Sequence, residues 1–162
     1  MQLQMGATEI GQGADTVFTQ MAADSVGFLP ENVHIVSFQD TDVTPFDTGA
    51  YASRQTYVSG MALKKTAGIF RERILDYASY MLQKPADSMD IRDSWIVCRE
   101  TGEQLLGMDA LAMESFYSLD NSVHITAEAT NHCKSNTFAF GACFAEIEVD
   151  IPLGKIKVLD II

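Results

Sequence analysis

Between about Arg54 and about Gln83 the chain keeps helical spacing without a break, and that run dominates what the rest can do. Leu63, Ala67, Phe70, Ile74, Ala78 and Met81 fall on one face, while Lys64, Lys65, Arg71, Glu72 and Asp76 fall mostly elsewhere. This is the pattern of a long amphipathic helix facing a core, and its apolar stripe has to be covered by other elements. Gly60 inside the run costs up to about 1 kcal/mol relative to alanine, which points to close packing against another backbone.

The stretch leading into that helix, Phe46 to Gly60, begins with small and polar residues that cannot build a core. Backbone N–H groups at a helix start lack intrahelical partners and sit at the positive end of the helix dipole. Ala50, Ala52 and Ser53 would let an anion approach such donors, with Arg54 or Gln55 adding side-chain donors. The plainer reading makes Ser53 an ordinary N-cap ahead of a long core helix.

Around the long helix the sequence alternates element types. Gln2 to Glu9 reads as a weak strand, Gly11-Gln12-Gly13 breaks it, and a helix follows over about Ala14 to Val26 with Val17, Phe18, Met21, Ala22 and Val26 on one stripe. Gly27 and Pro30 stop it. Val33 to Val36 is β-branched and reads as a strand. Residues 39–50 have loop composition. Their three acids, Asp40, Asp42 and Asp47, match no EF-hand spacing and read as solvated loop carboxylates.

Beyond the long helix, Lys84 to Asp93 reads as a polar connector. A hairpin is expected from Trp95 to Cys98 and Gln104 to Met108, with its turn around Thr101-Gly102, then a short helix capped by Asp109. Val123 to Glu128 alternates as a strand, and 134–137 is polar loop. The last hairpin sets Ala145, Ile147 and Val149 against Glu146, Glu148 and Asp150. Pro152 and Gly154 make its turn, and Lys155 and Lys157 return opposite the acids. The expected fold is α+β: a sandwich of mixed β-sheet and helix layers, with two main helices and a C-terminal β-hairpin, in one domain over residues 1–162.

A chain of 162 residues buries roughly 70% of its unfolded surface. Acids outnumber bases 22 to 11, a formal net charge of −11 that disfavours nucleic acid and anionic membranes as partners. The odd set Cys98, Cys133 and Cys143 lacks C-x-x-C spacing and reads as reduced, buried thiols of a cytoplasmic protein. No apolar run approaches the ~20 residues of a membrane span, and the N-terminus lacks signal-peptide character.

The residues offer no complete catalytic set. His34, His124 and His132 are scattered, adjacent His132-Cys133 is poor geometry for one tetrahedral metal, and Ser53, Ser59 and Ser94 lie in no nucleophile motif. What remains is two small-residue turns, each opening a helix: Gly11-Gln12-Gly13 and Ala50 to Gln55. The first lacks the third glycine of a dinucleotide fingerprint and any P-loop lysine. Together, the two can converge on one anionic, hydrogen-bond-rich ligand. A self-sufficient domain binding a small-molecule phosphate or a nucleotide is one reading of them.

The residues also resemble a family. Glu9-Ile10-Gly11-Gln12-Gly13-Ala14-Asp15-Thr16, then Val33 to Val36, Thr48 to Gly60, Phe138 to Ala142 and Ala145 to Asp150 are similar, in order and spacing, to the molybdopterin-binding region of the large subunit in the xanthine dehydrogenase and aldehyde oxidase family. The Asp-Thr-Gly-Ala-Tyr-Ala-Ser-Arg-Gln-Thr form is most similar to bacterial xanthine dehydrogenase subunits. The resemblance implies an oxidoreductase that inserts a water-derived oxygen into a purine or aldehyde C–H bond at a molybdenum–molybdopterin centre. Electrons would leave through iron–sulfur clusters to FAD on partner subunits or domains.

By position, Gln12 matches the glutamine near the metal, with Gly11 and Gly13 shaping its turn. Ala52, Ser53, Arg54 and Gln55 match the segment around the pterin and its terminal phosphate. The family's catalytic glutamate lies in a Gly-Glu-Pro-Pro-like segment that this sequence does not contain, so no catalytic residue is assigned here. The resemblance therefore implies part of a larger subunit, inactive alone, with exposed apolar surface and a tendency to self-associate.

Overall fold

The computed structural model describes residues 1–135 and 137–162. Its core forms where two helices lie against each other: α1 (Ala14–Val26) and α2 (Gly60–Leu82). Phe18, Ala22 and Val26 of α1 and Leu63, Ala67, Ile74 and Ala78 of α2 are all buried in one cluster. Each of the larger side chains contributes about 1.5–3 kcal/mol by leaving water.

α1 stops where its sequence indicates. Gly27 takes a left-handed conformation (φ +94°), and the N–H groups of Gly27 and Phe28 both donate to Ala23 O at 2.8 Å. A Cβ at Gly27 would lie 2.1 Å from the carbonyl oxygen of Ile91, so torsion and close approach both demand glycine.

Gly60 does mark a tight contact, but with a side chain. A Cβ there would come within 2.7 Å of Met21 Cε on α1, so the expected backbone neighbour is replaced by a methionine. The helical run starts with a widened π turn over Gln55–Ser59 before α2 proper.

Strand β1 (Gln2–Gln4) pairs in parallel with β2 (His34–Val36), α1 making the crossover between them. A three-stranded antiparallel meander follows α2: β3 (Met89–Arg92), β4 (Trp95–Cys98) and β5 (Gln104–Gly107). β3 corrects the polar connector expected over 84–93. Its buried residues Met89 and Ile91 point the same way and join Ile96 in the core. Helix α3 (Met108–Tyr117) leaves β5 directly. Gly107, not Asp109, sits at its N-cap, and Asp109 lies in the first turn, where its charge still meets the positive end of the helix.

Residues 123–128, expected as a strand, join no ladder among the described residues. The chain runs along α2 instead, and side chains of α2 take its carbonyls: Tyr77 Oη donates to Asn121 O (3.0 Å), Lys65 Nζ to Thr130 O (3.3 Å), and Arg73 to Thr126 O. Residues 137–144 are likewise irregular, so the Phe-Gly strand implied by the resemblance is not formed. The polar stretch 134–137 is irregular where described, and position 136 lies outside the described residues.

The terminal hairpin is as expected. β6 (Ala145–Asp150) pairs with β7 (Lys155–Ile161), and Glu148 and Asp150 stand opposite Lys157 and Lys155. Both strands are exposed along their whole length. The fold is thus α+β, with two main helices, a shorter third and three separate small sheets among the described residues.

Candidate functional site

The Gly11-Gln12-Gly13 turn is built from two left-handed glycines, φ +96° and +82°. Its amides do not stand open. Glu9 Oε1 accepts the N–H groups of Gly11 (2.7 Å) and Gly13 (3.1 Å), and Glu9 Oε2 accepts that of Asp15 (3.0 Å). These bonds, Asp15's foremost, hold the Glu9 carboxyl below its ordinary range against a smaller opposing effect of desolvation. A carboxylate of the chain itself therefore supplies the negative charge that the start of α1 favours. Nothing in the sequence pattern beyond an acid just upstream of the turn signals this.

The second turn is organised by Asp47. Its carboxylate accepts Arg54 Nη1 at 2.7 Å, the Gly49 N–H at 2.8 Å and the Ser59 hydroxyl at 3.1 Å. Arg54 also donates to Gly49 O at 2.8 Å and lies over the Tyr51 ring, 5.8 Å from its centroid. Burial pushes the Asp47 carboxyl up. Arg54, the Gly49 amide and the Ser59 hydroxyl together outweigh it and leave the group below its usual value. Expected as a solvated loop acid, Asp47 is instead the half-buried hub of the loop, its side chain only 12% exposed. Asp40 and Asp42 are exposed.

Ser53 is not an N-cap. Arg54 occupies that position, and no side chain caps the turn among the described residues. Ala52 and Ser53 are both left-handed (φ +52° and +55°) and exposed. For residues carrying a Cβ, such torsions cost of order 1–2 kcal/mol each.

The two turns meet. Gln12 and Gln55, 43 positions apart, hydrogen-bond through their carboxamides, Gln12 Nε2 donating to Gln55 Oε1. Both amides also donate to the carbonyl of Thr8, Gln55 Nε2 at 2.8 Å and Gln12 Nε2 at 3.1 Å, while the Ile10 N–H donates to Gln12 Oε1 at 2.7 Å. Gln55 is buried and Gln12 exposed, so the junction has one face inside and one in solvent. Of the residues singled out from sequence, Gly11, Gln12, Gly13, Ala52, Ser53, Arg54 and Gln55 thus fall in one region. Arg54 and Gln55 spend their side-chain donors on Asp47, Gly49, Thr8 and not on open space.

A cavity of about 440 Å³ opens beside the Asp47–Arg54 pair, with Met5, Phe46, Val58 and His132 among its lining residues. Among the described residues no group of three or more His, Cys, Asp and Glu side chains is placed to hold a metal ion directly. Nor is any helix long and apolar enough to cross a membrane. Cys98 and Cys133 are half-buried and Cys143 exposed, in place of the buried thiols expected, and all three are free.

A model of the molybdopterin cofactor-binding domain matches residues 1–162. The xanthine dehydrogenase molybdenum-binding subunit of Escherichia coli O157:H7 is 44% identical over 157 residues, 96% of this chain and 21% of that subunit. Subunit gamma of the 6-hydroxypseudooxynicotine dehydrogenase complex of Paenarthrobacter nicotinovorans is 29% identical over 97% of this chain and 20% of its own length. Among solved structures, reconstituted CO dehydrogenase from Oligotropha carboxidovorans superposes with a TM-score of 0.82 at 25% identity, over 99% of this chain and 20% of that one. Quinoline 2-oxidoreductase from Pseudomonas putida 86, at 22% identity and a TM-score of 0.80, shares the fold over 99% of this chain and 21% of its own.

The chain therefore spans about a fifth of the length of the relatives it matches. The reading as a self-sufficient phosphate or nucleotide domain finds no support, since the relatives carry this stretch inside a much longer subunit and Glu9 already fills the first turn. The match over residues 1–162, the identity to the molybdenum-binding subunit and the superposition agree that the chain belongs to the molybdopterin cofactor-binding domain family, as found in xanthine dehydrogenase-like molybdenum enzymes.

Proposed function

We propose that residues 1–162 act as one domain of a larger subunit in a xanthine dehydrogenase-like molybdenum hydroxylase, and that the junction of the two turns faces the cofactor. The observation that supports this most is the Gln12–Gln55–Thr8 network, which brings together two segments that, on the resemblance, would lie near the metal and the pterin. When bound, molybdenum–molybdopterin supplies insertion of a water-derived oxygen into a purine or aldehyde C–H bond and takes up the electrons.

The donor set fits such a group. Gln12, exposed at the junction, would hold the metal end through the remaining acceptor capacity of its carboxamide, and Gly11 and Gly13 would let the group approach the backbone without side chains in the way. Ala52 and Ser53, small, exposed and left-handed, would hold the terminal phosphate through their backbone. Arg54 and Gln55 brace that segment from behind, through Asp47 and Thr8. Two left-handed non-glycine residues in succession are the kind of strain that persists where a ligand requires the geometry.

The base that activates the reaction, a glutamate in the family, belongs on this reading to another part of the subunit. Iron–sulfur and FAD partners carry the electrons away, and the enzyme is cytoplasmic, in keeping with three free thiols. The remaining domains of the large subunit cover exposed apolar residues such as Phe138, Phe140, Ile147 and Val149. The isolated chain self-associates through them.

The test is Ser53→Asp in the full subunit. Ser53 is exposed, so the fold tolerates the change, while a carboxylate beside a phosphate repels it. Molybdopterin content per subunit is expected to fall about tenfold. Content equal to wild type would overturn the assignment of this turn to the phosphate.

A further inference from the structure

The left-handed turn that carries Gln12 is bound up by side-chain hydrogen bonds. A Cβ added at Gly11 or Gly13 would meet nothing within 4 Å, so the positive torsions and not a close approach call for glycine there. Side-chain hydrogen bonds hold the turn's amides, and the Glu9 carboxylate takes three of them, the Ile10 N–H going to Gln12 Oε1. The Glu9 carboxylate spans the turn, with Gly11 and Gly13 on one oxygen and Asp15 on the other. Gln12 sits between the two pinned glycines. Its carboxamide is folded back over residues 8–10 by the Ile10 N–H and the Thr8 carbonyl, which places it against Gln55.

We propose that Glu9 is a positioning residue: by clasping the amides of Gly11, Gly13 and Asp15 it fixes the orientation in which Gln12 meets the cofactor. This rests on the reading of Gln12 as cofactor-facing. The charge matters as well as the reach. A carboxylate at the start of α1 is favoured by the helix dipole, and a charged acceptor makes stronger bonds to backbone N–H groups than a neutral one. Because the turn is exposed, water can satisfy the three donors if Glu9 is lost, so the fold survives while the turn loses its single conformation.

The experiment compares Glu9→Leu, Glu9→Gln and Gln12→Ala in the full subunit. Three quantities are read: hydrogen–deuterium exchange of the Gly11 and Gly13 amides, molybdopterin content, and thermal midpoint. Glu9→Leu keeps the side chain's bulk but has no acceptor. Exchange at both glycines is expected to rise about fivefold or more and cofactor content to fall about tenfold, with the midpoint close to wild type. Glu9→Gln retains one oxygen, the one that serves Gly11 and Gly13, and is expected to restore at least half of the protection and of the cofactor.

Gln12→Ala is expected to lose cofactor while the glycine amides stay protected. Wild-type exchange in Glu9→Leu, or a Glu9→Gln variant no better than Glu9→Leu, overturns the positioning role whatever the cofactor content. Full cofactor content in Gln12→Ala, with raised exchange in Glu9→Leu, instead overturns the cofactor reading of Gln12 and leaves the Glu9 clasp standing.

Discussion

Replacing Asp47 with alanine tests how the second turn is held. The side chain is 12% exposed and that of Arg54 18%, so the pair is mostly, though not wholly, out of water. Removing one member of a fully buried pair costs about 3–5 kcal/mol, because the other is left charged and unsolvated. Residual exposure at both ends lowers this, and the freed Gly49 N–H and Ser59 hydroxyl add a smaller penalty. About 2–4 kcal/mol is expected. For a chain of this length that is a fall in thermal midpoint of roughly 5–15 °C.

The assay is thermal or urea unfolding of Asp47→Ala, Arg54→Ala and the double variant. If the ion pair carries the effect, the double variant loses less than the sum of the singles by at least about 1 kcal/mol. Additivity within about 0.5 kcal/mol would refute the hub. The pH dependence follows in sign. The folded carboxyl titrates below its ordinary range, so its stabilisation is complete above the unfolded pKa and is lost as pH falls through the lower folded value. Asp47→Ala should therefore show a shallower acid-side loss of stability than wild type.

Two further outcomes test the packing. Gly27→Ala forces a Cβ into the Ile91 carbonyl oxygen at a left-handed torsion and is expected to cost about 2–4 kcal/mol, read as a shift in urea midpoint. Gly60→Ala meets only the flexible end of Met21, so a gain in helix propensity of about 1 kcal/mol offsets the contact, and unfolding free energy should change by less than about 1 kcal/mol. A Gly60→Ala loss much above that would mean the helices cannot give way at this crossing.

The residues differ in how openly they declare their structure. α1 runs over Ala14–Val26 as its stripe and its Gly27 stop indicate, because both signals act within a few residues of backbone. The β6–β7 hairpin is equally legible, its alternation and turn being local. β3 hides because Met89 and Ile91 are the only large apolar residues between Pro85 and Arg92, and its strand character comes from pairing with β4. The opposite error occurs at 123–128. The alternation there is clean, yet the backbone finds Arg73 and its neighbours on α2 instead of another strand.

The candidate site divides along the same line. Two glycine- or alanine-lined turns, each opening a helical run, can be read from residue order, as can the family they belong to. That Gln12 and Gln55 touch, that Arg54 turns to Asp47 instead of outward, and that Glu9 fills the first turn could not be read that way. Turns and helix ends are set by torsional preferences that each residue carries with it. Which donor finds which acceptor across 43 positions depends on how α1 and α2 pack, and only the assembled core fixes that distance.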